Sequence, residues 1–318
     1  MAFVCSGFLR AALYFFAEWF AGGPVACFRS HKIMAETPIV VRNISDTARW
    51  AAVFRAKETE RADALFRDPY AARLAGALGV EIANTLPEGN SHAWAWVART
   101  FLFDQFIERE ILAGVDMVLN LAAGLDARPY RMQLPPELQW VEIDLPEILE
   151  YKAEVLRDEK PVCRLERITL DLANVAARHS VFQRLAERGR KVLLLTEGLI
   201  IYLKTEQVIS LAQDLAQHAE FQRWITDMHS PGLLRMMQRT TGRHLTQVGA
   251  PFKFGPPEGP PFFEPYGWKV EEVRGLLKTA GRHKRLPLGL KLFSFLPESR
   301  GAQGSRSWSG VCLFGRKD

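Results

Sequence analysis

Three acidic residues stand where apolar runs of this chain end: Asp144 closes Val141-Glu142-Ile143, Asp171 follows Thr169-Leu170, and Glu197 follows Leu195-Thr196. A carboxylate at the tip of a second parallel strand can accept hydrogen bonds from both hydroxyls of a ribose. Asp144 has that position, with Glu142 on the same face but further from the tip. An aspartate closing a third strand, Asp171, can accept from the exocyclic amine of adenine, while the Leu172 N–H can donate to a ring nitrogen. Glu197 closes a fourth run, beside the point where open α/β sheets bind ligands, and can face an ammonium group. Each acid taken alone has a helix-capping alternative. Their recurrence at successive strand ends is the specific signal.

The turn after the first run sets the type of ligand. Val118-Leu119-Asn120-Leu121 passes into Ala122-Ala123-Gly124, small residues that let a ligand lie against backbone. A dinucleotide site calls for Gly-x-Gly-x-x-Gly, and only Gly124 of that pattern is present. Asp126 in the same turn is read as repelling a pyrophosphate. S-adenosylmethionine has no phosphate and carries a sulfonium cation, so this turn suits it better.

These residues need a sheet to bring them together. Strands are expected over 116–121, 139–143, 163–170, 191–196 and 221–228, with helices over 145–157, 175–188 and 205–219 between them. Repeated strand–helix units imply a parallel sheet covered on both faces. Upstream, Ser45 or Asp46 caps a helix whose Trp50, Val53, Phe54 and Lys57 share a face. Asp68-Pro69 starts a second helix ending near Gly79, and Ser91 opens a third. Residues 249–267, rich in Gly, Pro and Phe, form a loop that is either a lid or a plain surface excursion. A helix is expected over 269–280, and two closing strands over 291–295 and 310–315, joined by a mobile polar stretch at 297–308.

Composition narrows the class. The chain has 318 residues, 48% hydrophobic and 24% charged, with a formal net charge of +5. The basic residues are scattered and form no track interleaved with aromatics, so no nucleic-acid partner is expected. The four cysteines, at 5, 27, 163 and 312, have neither disulfide-framework nor zinc spacing, so no metal is expected and the reduced cytoplasm is the expected compartment. Residues 1–36 are read as an extension outside the fold, and no membrane partner is expected. A surface-anchoring role for the first 33 residues is the alternative. Residues 37–318 are expected to form one domain: a helical cap over 44–113, a cofactor-binding core over 114–230, then a lid and C-terminal strands over 231–318.

From about residue 37 onwards the chain resembles the leucine carboxyl methyltransferase-like family of S-adenosylmethionine-dependent enzymes, in particular its bacterial, actinobacterial-type O-methyltransferase branch. The likeness rests on Ser45-Asp46-Thr47-Ala48-Arg49-Trp50, Ala64-Leu65-Phe66-Arg67-Asp68-Pro69, Asn120 through Arg131, Glu142 through Pro146, Asp171-Leu172, Thr196-Glu197-Gly198-Leu199 and Tyr266-Gly267-Trp268. It implies a class I methyltransferase, Rossmann-like α/β fold: a doubly wound, mostly parallel seven-stranded sheet, helices on both faces and an antiparallel last strand pair. It implies S-adenosyl-L-methionine as cofactor, with Gly124 in the cofactor turn, Asp144 on the ribose, Asp171 and Leu172 on adenine, and Glu197 as the strand-four acid. Arg99 is implied as partner of the methionine carboxylate, and Lys57 aligns loosely with a second basic contact. Ala122 and Ala127 depart from the family's usual Gly and Thr, and both are small enough for cofactor binding.

The expected reaction is methyl transfer to a carboxylate or hydroxyl oxygen of a small molecule or a peptide C-terminus. A hydroxyl needs a general base and an ionised carboxylate does not. Tyr202, Asp227 and His229 are the acceptor-side candidates, and His229 has a non-catalytic loop reading beside it. The alternatives are an NAD(P)-dependent oxidoreductase and a non-catalytic cofactor-binding protein. Oligomeric state is left open.

Overall fold

The computed structural model describes residues 45–85, 92–247, 249–295 and 306–317. The extension expected over 1–36, Ser91 and most of the 297–308 stretch lie outside them. A sheet of seven strands runs in the order β3-β2-β1-β4-β5-β7-β6. Its parallel part comprises β1 (Met117–Leu121), β2 (Gln139–Asp144), β3 (Arg164–Thr169), β4 (Val192–Thr196) and β5 (Phe221–His229). β7 (Ser309–Arg316) runs antiparallel to both β5 and β6 (Trp268–Gly275).

Alternation along the central strands sorts side chains to two cores. Met117, Leu119 and Leu121 of β1 join Val192 and Leu194 of β4 under α6 (Val175–Ala186) and α7 (Thr205–Ala216). Val118, Leu193 and Leu195 face the other way, against α3 (Ala93–Leu112) and α10 (Leu276–Arg282). A third cluster joins α1 (Asp46–Thr59), α2 (Ala71–Thr85) and α5 (Pro146–Val155) above the strand tips. There the two halves of the sheet diverge between β1 and β4, the ligand-binding position of doubly wound folds.

Several local expectations change. α2 continues past Gly79 to Thr85, with a left-handed kink at Gly76 (φ 59°). Ser45 precedes α1 without a side-chain cap. The largest change concerns the sheet edge. Val270, Val273, Leu276, Leu277 and Ala280 have helical spacing, yet residues 268–275 form β6 and only 276–282 coil. Trp268 decides this: it is fully buried, stacks edge-on with Trp224 at 5.3 Å, and its indole N–H donates to the Ala212 carbonyl at 3.0 Å. With β7's second edge taken, 288–295 winds as a 3-10 segment that leaves Leu288 and Leu292 exposed. The 249–267 stretch is also not a free excursion. Phe254 and Phe263 are buried in the sheet core, and the N–H groups of Lys253 and Phe254 both donate to the Ile201 carbonyl. Cys163 and Cys312 are buried and unpaired.

Candidate functional site

A cavity of about 600 Å³ opens over the strand tips. It is lined by every residue singled out from the sequence: Arg99, Gly124, Asp144, Asp171, Leu172, Glu197, Tyr202, Asp227 and His229. Lys57 is the exception, being exposed on α1, while Arg55 lines the cavity instead.

The turn after β1 is built on two left-handed residues, Ala122 (φ 56°) and Gly124 (φ 49°). At Gly124 a Cβ would come within 3.2 Å of the Ala48 Cβ, so α1 seats directly on it. At Ala122 an L side chain already occupies a conformation that costs roughly 1–2 kcal/mol. The departure from glycine is therefore a matter of backbone geometry, and size alone does not describe it. Ala122→Gly is expected to raise stability by about 0.5–1 kcal/mol, since relief of strain exceeds the entropy glycine adds to the unfolded chain. Urea unfolding measures this, and a lowered midpoint would refute it.

Asp144 holds the turn in place. Its Oδ2 accepts from the Gly124 N–H at 2.6 Å and its Oδ1 from the Leu145 N–H at 2.8 Å. Burial nevertheless pushes its carboxyl above the usual range. Glu142, one pleat back, is fully buried and accepts from Lys152 Nζ and Arg167 Nε, so it serves the fold. Asp171 accepts from the Ala173 N–H at 2.9 Å, tightening its own turn. The Leu172 carbonyl accepts from Arg178 at 2.7 Å, and Arg178 is itself held by Asp214 and Ser210.

The far side of the cavity is an ion network that the sequence reading missed. Glu197 takes Arg99 Nε on one oxygen (3.0 Å) and Arg128 Nη1 on the other (2.9 Å). Arg99 also donates to Asp227 Oδ2 at 3.2 Å, and the other Asp227 oxygen accepts from the Gly198 N–H at 2.7 Å. Gly198 is left-handed (φ 68°), and a Cβ there would lie 3.1 Å from Arg99 Nη1, which accounts for the glycine after Glu197. Arg128, 3% exposed, further binds Asp104 (2.7 Å) and Asp126 (2.8 Å), and Arg131 binds Asp104. The signal for this was present: Asp126 and Arg128 sit two apart in the unusual run after Gly124.

Asp126 is thereby reassigned. It accepts from Asn120 and Arg128, both at 2.8 Å. Burial alone would raise its carboxyl, but Arg128, with Lys152 and Arg131 behind it, holds it down to about 2. It is an internal counter-charge whose negative field Arg128 compensates. The case against a dinucleotide then rests on the missing glycines.

Tyr202 lies 5.4 Å from Phe252, ring centre to ring centre, and burial raises its phenol above the ordinary value. His229 ends β5. Burial depresses its pKa, outweighing the attraction of Asp227, and Arg99 depresses it further, which favours the neutral imidazole. Among the described residues no cluster of His, Cys, Asp or Glu is arranged to hold a metal. None of their helices is long and apolar enough to cross a membrane.

A seven-stranded sheet with an antiparallel last pair and a cavity over its strand tips defines a class I methyltransferase fold. Solved structures that share it include a DUF574 family protein from Streptomyces avermitilis (TM-score 0.54, 12% identity, covering 86% of this chain and 97% of that one) and a putative methyltransferase from Thermobifida fusca (TM-score 0.55, 14% identity, 88% and 96%). The chain belongs to the leucine carboxyl methyltransferase family, whose profile matches residues 48–216. Its relatives include a Streptomyces coelicolor protein, 37% identical over 59% of this chain and 70% of that protein, and a Frankia alni protein, 30% identical over 82% and 96%. Both bear the name putative S-adenosyl-L-methionine-dependent methyltransferase.

Proposed function

We propose that this methyltransferase binds S-adenosylmethionine across the tips of β1 to β4 and transfers its methyl group to an oxygen of an acceptor. The convergence of Asp144, Asp171 and Glu197 with the Ala122–Gly124 turn on one cavity carries this reading.

The residues present fit that cofactor. With Asp126 and Arg128 neutralising each other, four carboxylates line the cavity, Asp144, Asp171, Glu197 and Asp227, against two arginines, Arg55 and Arg99. A cofactor with a sulfonium, an ammonium and a carboxylate is a net cation, which this excess of acid favours. Asp144 keeps lone pairs for the ribose hydroxyls beyond the two backbone donors it already holds. Asp171 and the Leu172 N–H are the adenine partners in this reading, and Arg178 holds the carbonyl of the next peptide unit, Leu172–Ala173. Arg99 is the partner of the methionine carboxylate, its guanidinium oriented by Glu197 and Asp227. Glu197 already accepts from two arginines, so its part is to orient them as well as to attract the ammonium.

When bound, the cofactor supplies an electrophilic methyl on sulfur. The chain's contribution is alignment for in-line displacement and exclusion of water. Leu233, Met236 and Met237 of α8 (Pro231–Arg239), with Phe252, wall the cavity with apolar groups for that purpose.

Titration calorimetry separates this reading from the hydride-transfer alternative. S-adenosylmethionine is expected to bind and NAD to give no heat. Binding of NAD alone would overturn the proposal.

A further inference from the structure

We propose that the acceptor is a neutral, flat aromatic hydroxyl compound, with His229 as the base that removes its proton. This rests on the methyl-transfer reading above and deepens it.

The first observation is the lining. Trp50, Trp96, Tyr202, Phe252, Met236 and Met237 all face the cavity. Trp50 and Trp96 lie 5.2 Å apart, centre to centre, and Tyr202 and Phe252 5.4 Å. Aromatic and thioether side chains hold an aromatic ring by area and by offset or edge contacts. They offer little to a polar peptide end.

The second observation is charge. Arg99 is taken by the cofactor's carboxylate in the reading above, and the other described arginines lining the cavity are held by the protein's own acids, Arg55 by Asp68 and Arg128 by Asp104, Asp126 and Glu197. The cofactor's single net positive charge does not reverse the excess of acid. A carboxylate acceptor would lose its hydration with no arginine of the cavity lining left to pair with it, which is costly. A neutral hydroxyl does not meet that cost.

The third observation is His229. It lines the cavity at the end of β5, two residues along the strand from Asp227. Asp227 and Arg99 are the charged groups acting on it. The step balances simply. The hydroxyl proton passes to an imidazole nitrogen, and the oxygen forms a bond to the methyl carbon. The carbon–sulfur bond breaks and its electron pair stays on sulfur, leaving a neutral thioether, a methyl ether and an imidazolium that returns its proton to water.

The test uses the full chain and three probes: 2-naphthol, 2-naphthoic acid and a peptide ending in a free leucine carboxylate. With S-adenosylhomocysteine bound, 2-naphthol is expected to bind at least about tenfold more tightly than 2-naphthoate, the difference a modest unpaired-charge cost produces. With S-adenosylmethionine it is expected to give the methyl ether. Tighter binding of the naphthoate, ester formation on either carboxylate, or no ether from 2-naphthol overturns the proposal. Failure to bind S-adenosylmethionine at all overturns the underlying reading instead. His229→Gln is expected to leave S-adenosylmethionine affinity within about twofold while lowering kcat on 2-naphthol by about 10²–10⁴. With 4-nitrophenol, a much stronger acid that is about half ionised at neutral pH and so depends less on a base, the loss is expected to shrink at least tenfold, which a merely structural role would not produce. An unchanged kcat, or the same loss on both phenols, removes His229 from the mechanism.

Discussion

Asp144→Ala is expected to raise the dissociation constant for S-adenosylmethionine by about 100-fold or more. In the proposed binding mode two hydrogen bonds from ribose hydroxyls to an ionised carboxylate are lost, each contributing about 1.5–3 kcal/mol. A second loss arises in the protein. The Gly124 and Leu145 N–H groups both donate to this carboxylate, so its removal releases the turn that faces the cofactor. Stability is expected to fall more modestly, by about 1–2 kcal/mol, because the freed N–H groups border the cavity and can recruit water. Asp144→Asn is expected to lie between the two, since its amide offers one acceptor oxygen where two were used. Calorimetry on the two variants decides the matter, and an alanine variant that binds within threefold of the parent would remove Asp144 from the ribose.

Arg128→Met is expected to destabilise the fold by about 3–5 kcal/mol, the range for removing one partner of a buried ion pair. The methionine fills most of the space, so the loss is electrostatic. Asp104, Asp126 and Glu197 all give an oxygen to this guanidinium; Asp104 keeps Arg131 and Glu197 keeps Arg99, while Asp126 loses its arginine partner. Total stabilities of about 5–15 kcal/mol make a loss of that size a large part of the whole. Arg128→Lys is expected to recover only part of it, because one ammonium cannot reproduce the planar set of donors reaching three carboxylates. Adding Asp126→Asn to Arg128→Met is expected to restore part of the loss by removing an unpaired charge. Thermal and urea unfolding test both statements. A cost below about 1 kcal/mol for Arg128→Met would show that the network does not support the cavity floor.

The two residues differ in how visible they were. Asp144 could be singled out from chain order, because it closes the second strand where a ligand would lie, with helix capping as its other reading. Arg128 lies in the sequence segment that drew attention first, yet its partners are 24, 2 and 69 positions away. No local pattern connects Asp104 on α3 with Glu197 after β4. For the same reason Asp126 was read as facing the ligand, when its charge is turned inward to Arg128 and Asn120. The edge of the sheet followed similar lines. The apolar spacing of 268–280 fits a helix on its own, and only the burial of Trp268 against Trp224 makes its first part a strand.

By itself the sequence determined the strand–helix order, the acids and small residues at the strand tips, and through them the class of fold and cofactor. These depend on periodicity and on neighbours within a few residues, where the physics is local. Tertiary structure alone decided which charges neutralise each other, which strand closes the sheet, and that Ala122 is held in a left-handed conformation. It also decided that His229 faces an aromatic cavity. Those outcomes depend on contacts between segments far apart in the chain, such as Arg99 and Asp227 at a separation of 128 residues, and they exist only once the sheet has assembled.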